Sequence, residues 1–311
     1  MPPVGGQAVL EGVMMQNGDR IAVAVRREDD KKIIVRDLPV KKILPRLSKV
    51  PVFRGVFRFV SMLVLGIRAL NLSASLAFPE DEQLSKGGTA ITMVVAIVIA
   101  VGGFVVLPLF VVNSFGSLRA GNPVVFNLVE GLLRMTLFLG YVVVISRMKE
   151  IKRVFQYHGA EHKTVHAYEA GLDLTVDNAR EYTTLHPRCG TAFLMIVLVI
   201  AILVFSLAGN PTLWLKLLSR LLLLPVVAGV SYEVLQFSGR HSDRRLVRAL
   251  SAPGMWLQRL MTAEPTDDML EVAIASLKHV TEPVAAREAA TVDVEAGAVQ
   301  SSADPNPACA A

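Results

Sequence analysis

Four long apolar runs limit what this chain can fold into. The first, about Thr89 to Val112, and the third, about Thr191 to Ala208, hold no charged residue. The second, about Val124 to Ser146, carries Glu130 and Arg134, and the fourth, about Thr212 to Leu235, carries Lys216, Arg220 and Glu233. A helix of roughly 20 apolar residues crosses the hydrocarbon core of a bilayer, so each run is a candidate span. Asn113, Ser114 and Gly116 close the first run, and Gly121-Asn122-Pro123 opens the second. Gly209-Asn210-Pro211 makes a tight turn between the third and fourth. The expected fold is a mainly α membrane protein with four transmembrane helices in two hairpins. Composition agrees: 19% of residues are charged, below the roughly 25% of soluble domains, and mean hydropathy is +0.48.

Charge sets the expected orientation. The N-terminal region holds Arg20, Arg26, Arg27, Lys31, Lys32, Arg36, Lys41, Lys42, Arg46, Lys49, Arg54, Arg58, Arg68 and Lys86. The middle loop is basic through Arg147, Lys149, Lys152, Arg153, Lys163, Arg180 and Arg188, and Arg240, Arg244, Arg245 and Arg248 follow the fourth run. The two hairpin turns hold only Arg119. Lys and Arg collect on the cytoplasmic side, so both termini and the middle loop are expected there. No basic run is interleaved with aromatics, so nucleic acid is not an expected partner. The N-terminus lacks the basic and long apolar regions of a signal peptide, which assigns targeting to an internal apolar segment. Two cysteines, Cys189 and Cys309, exclude a disulfide-stapled scaffold and a four-cysteine zinc ribbon.

Outside the spans the chain divides further. Residues 1–50 read as a small cytoplasmic β unit, with β-branched stretches at Arg20–Arg26 and Lys32–Arg36 around a Glu28-Asp29-Asp30 turn. Residues 51–87 read as an amphipathic helix on the membrane surface, because Val56, Phe57, Val60, Leu63, Val64, Ile67 and Leu70 follow helical spacing. Hairpins occupy 88–146 and 190–237, with a histidine-rich cytoplasmic segment at 147–189. Cytoplasmic helices are expected over 238–282, broken at Glu264-Pro265. Residues 283–311 hold one base, Arg287, against Glu288, Asp293, Glu295 and Asp304, and read as a disordered tail.

The chemistry concentrates in the middle segment. Three of the six histidines, His158, His162 and His166, recur at four-residue spacing, which places them on one side of a helix. His158-Gly159-Ala160-Glu161-His162 satisfies H-x-x-E-H, in which two histidines hold zinc and the glutamate activates its water. His158 and His166 are about 12 Å apart along a helix axis, so a further ligand has to come from elsewhere. His186-Pro187-Arg188-Cys189-Gly190, just before the third run, offers His186 and Cys189, and a mixed N/S set suits zinc. The metal ligands expected are therefore His158, His162, His166, His186 and Cys189, with Glu161 catalytic. The competing reading makes Glu161 a helix charge paired with Lys163 or Arg153, and Cys189 a small packed residue.

Two further features carry charge. Glu130 and Arg134 stand one turn apart inside the second run, and Arg220 falls at similar depth in the antiparallel fourth, so Glu130 is expected to clamp helices. Arg240, Arg244 and Arg245 suit an anionic lipid headgroup, with His241 and Asp243 nearby.

Three blocks carry a family resemblance. GGQAVLEGVMM at Gly5–Met15, FQYHGAEHKTVHAYEAG at Phe155–Gly171 and YTTLHPRCGTAFL at Tyr182–Leu194 resemble the bacterial YqhQ-like family, an uncharacterised family of multipass membrane proteins labelled as metal-dependent enzymes. The resemblance runs over roughly residues 5 to 280, including APGMWLQRLMTAEPTDDMLEVAIASL. It implies a multipass bacterial inner-membrane protein, and His158, Glu161, His162, His166, His186 and Cys189 match its blocks position by position. The expected function is a membrane protein with a cytoplasmic-face divalent metal site, zinc by its ligands, hydrolysing a membrane-associated substrate. The alternative is a non-enzymatic scaffold or assembly factor with a structural metal or a packed histidine helix.

Overall fold

The computed structural model describes residues 4–39, 53–79, 86–116, 121–207, 212–240 and 245–282, with residues 50 and 209. Lys41, Lys42, Arg46, Lys49, Arg119, His241, Asp243 and the tail from residue 283 lie outside the described residues.

The chain opens with an antiparallel sheet of four strands in sequence order: β1 Val4–Val9, β2 Gly12–Asn17, β3 Arg20–Arg26 and β4 Ile33–Asp37. The last two are the strands expected from the β-branched stretches. The first two, which the sequence pattern did not reveal, form a hairpin from the glycine-rich N-terminal block, with Val9 opposite Gly12. Its two-residue turn puts Glu11 at φ 50°, a backbone region that most side chains avoid. Alternation sorts the sheet into two apolar faces. Val4, Val13, Met15, Ala22 and Ala24 face one helical layer, while Val9, Met14, Ile21, Val23 and Val25 face another.

Helix α1, Phe53–Ala77, covers the second face. Its buried stripe is made of small residues, Gly55, Gly66, Ala69, Ser73 and Ala77, so the helix can approach closely. Its N-terminal end abuts a second helix, α8, Leu213–Arg240, where a Cβ on Gly55 would lie 2.9 Å from the Gly229 Cα. Arg54 and Glu233 form a two-pronged ion pair there. Val60, Met62, Leu63 and Val64 on α1 stay exposed.

The remaining apolar helices are α2, Lys86–Val101, a π-helical turn at Gly102–Val106, α3, Leu107–Ser114, α4, Pro123–Ile145, and α7, Thr191–Leu207. α3 packs on α4, and α7 packs on both α4 and α8, which gives the two expected hairpins. Four helices are long and apolar enough to cross a membrane: 53–77, 87–114, 123–145 and 213–238. The count of four stands, yet its members differ from the four apolar runs. Residues 53–77 join the set, and α7 is shorter, with 17 residues and a rise of about 26 Å against a hydrocarbon core of about 30 Å. Large apolar side chains such as Ile91, Ile99, Phe110, Leu203 and Leu222 lie exposed on these helices, as lipid contact requires.

Between the hairpins lie α5, Lys149–Glu169, and the short α6, Val176–Arg180. After α8 come α9, Arg245–Met261, and α10, Asp267–Thr281, with the expected break at Glu264-Pro265 between them. α5 and α10 cover the first face of the sheet. The sheet is thus held between α1 on one side and α5 with α10 on the other.

Candidate metal centre

α5 is buried along its histidine stretch, unlike an ordinary solvated amphipathic helix. Tyr157, Ala160, Glu161, His162, Lys163 and Thr164 are all shielded from solvent. Four segments close over it: strand β1, helix α10, the loop between α6 and α7, and the end of α9 with the residues that follow. Gly159 makes the last contact possible, because a Cβ there would lie 2.2 Å from the Ala263 carbonyl oxygen. The Ala263 N–H in turn donates to the Phe155 carbonyl.

The two histidines of the H-x-x-E-H pattern are held alike. His158 places Nδ1 2.8 Å from the Met261 carbonyl oxygen, and His162 places Nδ1 2.5 Å from that of Thr184. Each Nδ1–H therefore donates to the main chain, and each Nε2 keeps its lone pair. The His158 Nε2 lies 3.3 Å from Cys189 Sγ, and the His162 Nε2 is buried without a hydrogen-bond partner. One donor atom from each of His158, His162 and Cys189 falls within 4.8 Å of the others. Backbone carbonyls that fix the tautomer of a histidine are the usual outer support of metal-ligating imidazoles. These three groups can hold a divalent ion, and their mixed nitrogen and sulfur character suits zinc.

Glu161 stands against this cluster, with Oε2 3.4 Å from His162 Nε2. It pairs with neither Lys163 nor Arg153. Lys163 is bound to Glu264 and the Arg180 carbonyl, and Arg153 to Glu11. Burial pushes the Glu161 pKa up to about 8, against the smaller lowering effect of the Gly6 main-chain N–H, which donates to the carboxylate. Burial also holds His162 down at about 3 and lowers His158, so both imidazoles are neutral at physiological pH. Burial raises the Cys189 thiol to about 11.

His166 and His186 lie beside the cluster rather than in it. The His166 Nε2 is 2.9 Å from the Leu185 carbonyl oxygen, and its ring stacks on Tyr182. The His186 ring sits 5.6 Å from that of His162, and its Nε2 is 3.5 Å from Glu169 Oε2. Burial lowers the His186 pKa to about 4. Gln258 grips the main chain of His186 from both sides, accepting from its N–H at 3.0 Å and donating to its carbonyl at 2.9 Å. Neither Gln258 nor Gly6 stood out as a site residue in the sequence. The only signal was the glycine pair in the N-terminal block.

The chain matches the family described as "Protein of unknown function (DUF1385)" over residues 50–283. It is 36% identical over 295 residues to the "Uncharacterized protein YqhQ" of Bacillus subtilis (strain 168), a match covering 89% of this chain and 92% of that one. No solved structure matches the chain.

Proposed function

This chain belongs to the DUF1385 family, and within it we propose a membrane protein that binds a divalent metal, zinc by its donor set, at the junction of α5, α9 and the loop before α7. The observation that carries the reading is the unpartnered, buried His162 Nε2. It faces a second oriented imidazole and a thiol, where leaving a polar atom unpaired is costly. Hydrolysis of a membrane-associated substrate, peptide or lipid-linked, is the reaction class. A bound divalent ion supplies a Lewis acid and an acidified water. Glu161, whose Oε2 lies 3.4 Å from His162 Nε2, would be the group placed to hold a proton from such a water, once its own carboxyl is ionised. The Cys189 thiol would have to lose its proton to serve as a ligand.

The positive-inside rule, applied to the basic loops, supports a site on the cytoplasmic side. α1 supports that placement as a surface helix. Gly66, Ala69, Ser73 and Ala77 of its small-residue stripe face the sheet and Gly55 faces α8, while Val60, Leu63, Val64 and Ile67 stay exposed and suit lipid contact. Arg58 and Arg68 are exposed on the same helix and suit anionic headgroups.

Metal analysis of detergent-purified protein tests the site, with wild type beside His162→Ala and Cys189→Ser. Near-stoichiometric zinc in wild type, lost in both variants, is expected. Wild type that neither retains zinc nor takes it up removes the reading. X-ray absorption on the zinc-loaded protein then separates enzyme from scaffold. An oxygen ligand from water leaves an open position for chemistry, whereas four protein ligands make the site structural.

A further inference from the structure

A second cluster of buried polar side chains lies inside the apolar bundle, away from the histidines. Glu130 on α4 accepts from two guanidiniums, Arg134 one turn along the same helix and Arg220 on α8, whose Nη2 is 2.8 Å from Glu130 Oε2. All three are buried. Arg134 also donates through Nε to the Phe104 carbonyl, 2.7 Å away in the π-helical turn. Arg220 Nη2 donates to Asn127 Oδ1 at 2.5 Å. The Phe205 ring of α7 packs on both guanidiniums, with centroid distances of 4.2 Å to Arg220 and 5.4 Å to Arg134.

The charges in this cluster do not balance. Among the described residues one carboxylate serves two guanidiniums, and Arg220 Nε is buried with no acceptor. Ionised groups inside a bilayer are expensive and are normally neutralised by a partner, and buried donors normally find an acceptor. Asn127 Nδ2 donates to the Gly209 carbonyl at 3.1 Å, so the cluster begins one residue from the α7–α8 turn, at one end of the bundle.

We propose that this cluster binds one anion, which neutralises the excess guanidinium charge and accepts from Arg220 Nε–H. The shared chemistry is a monoanionic acceptor, either free chloride or a phosphate oxygen of a lipid headgroup. Asn127 offers a test from within. Its Oδ1 already sits against Arg220, so Asn127→Asp places a carboxylate where the missing charge is needed.

The experiment is thermal unfolding of full-length protein in lipid-free detergent at fixed ionic strength, with chloride titrated against gluconate. A saturable rise in Tm with chloride is expected in wild type, and Asn127→Asp should abolish it, the lost Nδ2 donations to the Pro123 and Gly209 carbonyls lowering Tm equally in chloride and gluconate. Vesicles of phosphatidylglycerol, compared with phosphatidylcholine alone, identify a lipid source. Stabilisation by phosphatidylglycerol but not by chloride assigns the site to a headgroup. Wild type indifferent to chloride and to phosphatidylglycerol overturns the proposal, as does Asn127→Asp that keeps the full anion dependence. Equilibrium binding of radiolabelled chloride and of phosphatidylglycerol to wild type needs no variant. One bound anion per chain supports the site, and none of either overturns it.

Discussion

Gly6 and Glu161 touch at a point where only glycine fits. A Cβ on Gly6 would lie 2.7 Å from the Glu161 Cγ and 2.8 Å from the Met14 carbonyl oxygen, while one on neighbouring Gly5 would meet nothing within 4 Å. Strand β1 therefore closes over the Glu161 carboxylate through a residue without a side chain, and its N–H is a donor to that carboxylate. Gly6→Ala should lower stability by about 1–3 kcal/mol, the usual cost of forcing extra volume into a packed contact. Gly5→Ala should be close to neutral. Denaturant unfolding of both variants in detergent checks the contrast, and equal effects from the two would sink it.

The pH dependence of the metal-free protein should carry the signature of Glu161. Its pKa rises from an ordinary 4.5 to about 8 on folding. Between those values the folded chain holds a proton that the unfolded chain has lost, so stability falls as pH rises. The histidines act in the opposite sense. His162 and His186 drop from 6.5 to about 3 and about 4, so below pH 6.5 stability rises with pH. Above 6.5 the Glu161 carboxyl acts without them. From pH 6.5 to 8 it amounts to about 2 kcal/mol of lost stability, at about 1.36 kcal/mol per unit. Unfolding of chelator-treated protein across that range should show the decline, and Glu161→Gln should flatten it. A decline that persists in the variant assigns it to another group.

Some of this architecture is legible in the sequence and some is not, for physical reasons. Apolar runs report directly on lipid contact, so the apolar helices are legible, but not that 53–77 is long and apolar enough to span while α7 is shorter. The helical period of His158, His162 and His166 reports only on one helix, and the structure uses that face unevenly. His158 and His162 meet Cys189, while His166 is drawn to the Leu185 carbonyl and Tyr182. Which histidines converge depends on the loop from Thr184 to Cys189, whose path is set by Gln258, 72 residues on from His186. No local pattern encodes that contact. The β1–β2 hairpin escaped because its turn, Leu10-Glu11, puts glutamate rather than glycine or asparagine at positive φ.

Cys189 should be an unreactive thiol in the metal-free folded protein. Burial holds its pKa near 11, about two units above an ordinary cysteine, which lowers the thiolate fraction at neutral pH roughly 100-fold. Only the thiolate attacks an alkylating reagent. In a Cys309→Ser background, iodoacetamide should label the chelator-treated protein at least that much more slowly than the same chain in denaturant, as followed by intact mass. Comparable rates would mean that the thiol is exposed or activated.

Glu130 is where loss of one atom's charge should cost the fold most. Its carboxylate is the single counter-charge to Arg134 and Arg220 among the described residues. Glu130→Gln preserves shape and leaves two guanidiniums buried without it. Breaking a buried ion pair from one side costs about 3–5 kcal/mol, whereas replacing all the partners with apolar residues is often neutral. Glu130→Gln should therefore lower the unfolding temperature in detergent sharply. The triple variant Glu130→Leu, Arg134→Met, Arg220→Met should recover most of the loss. That ordering follows only if desolvated charge, rather than side-chain volume, governs the site. A triple variant less stable than Glu130→Gln would show that the polar contacts to Phe104, Asn127 and Phe205 hold the helices together.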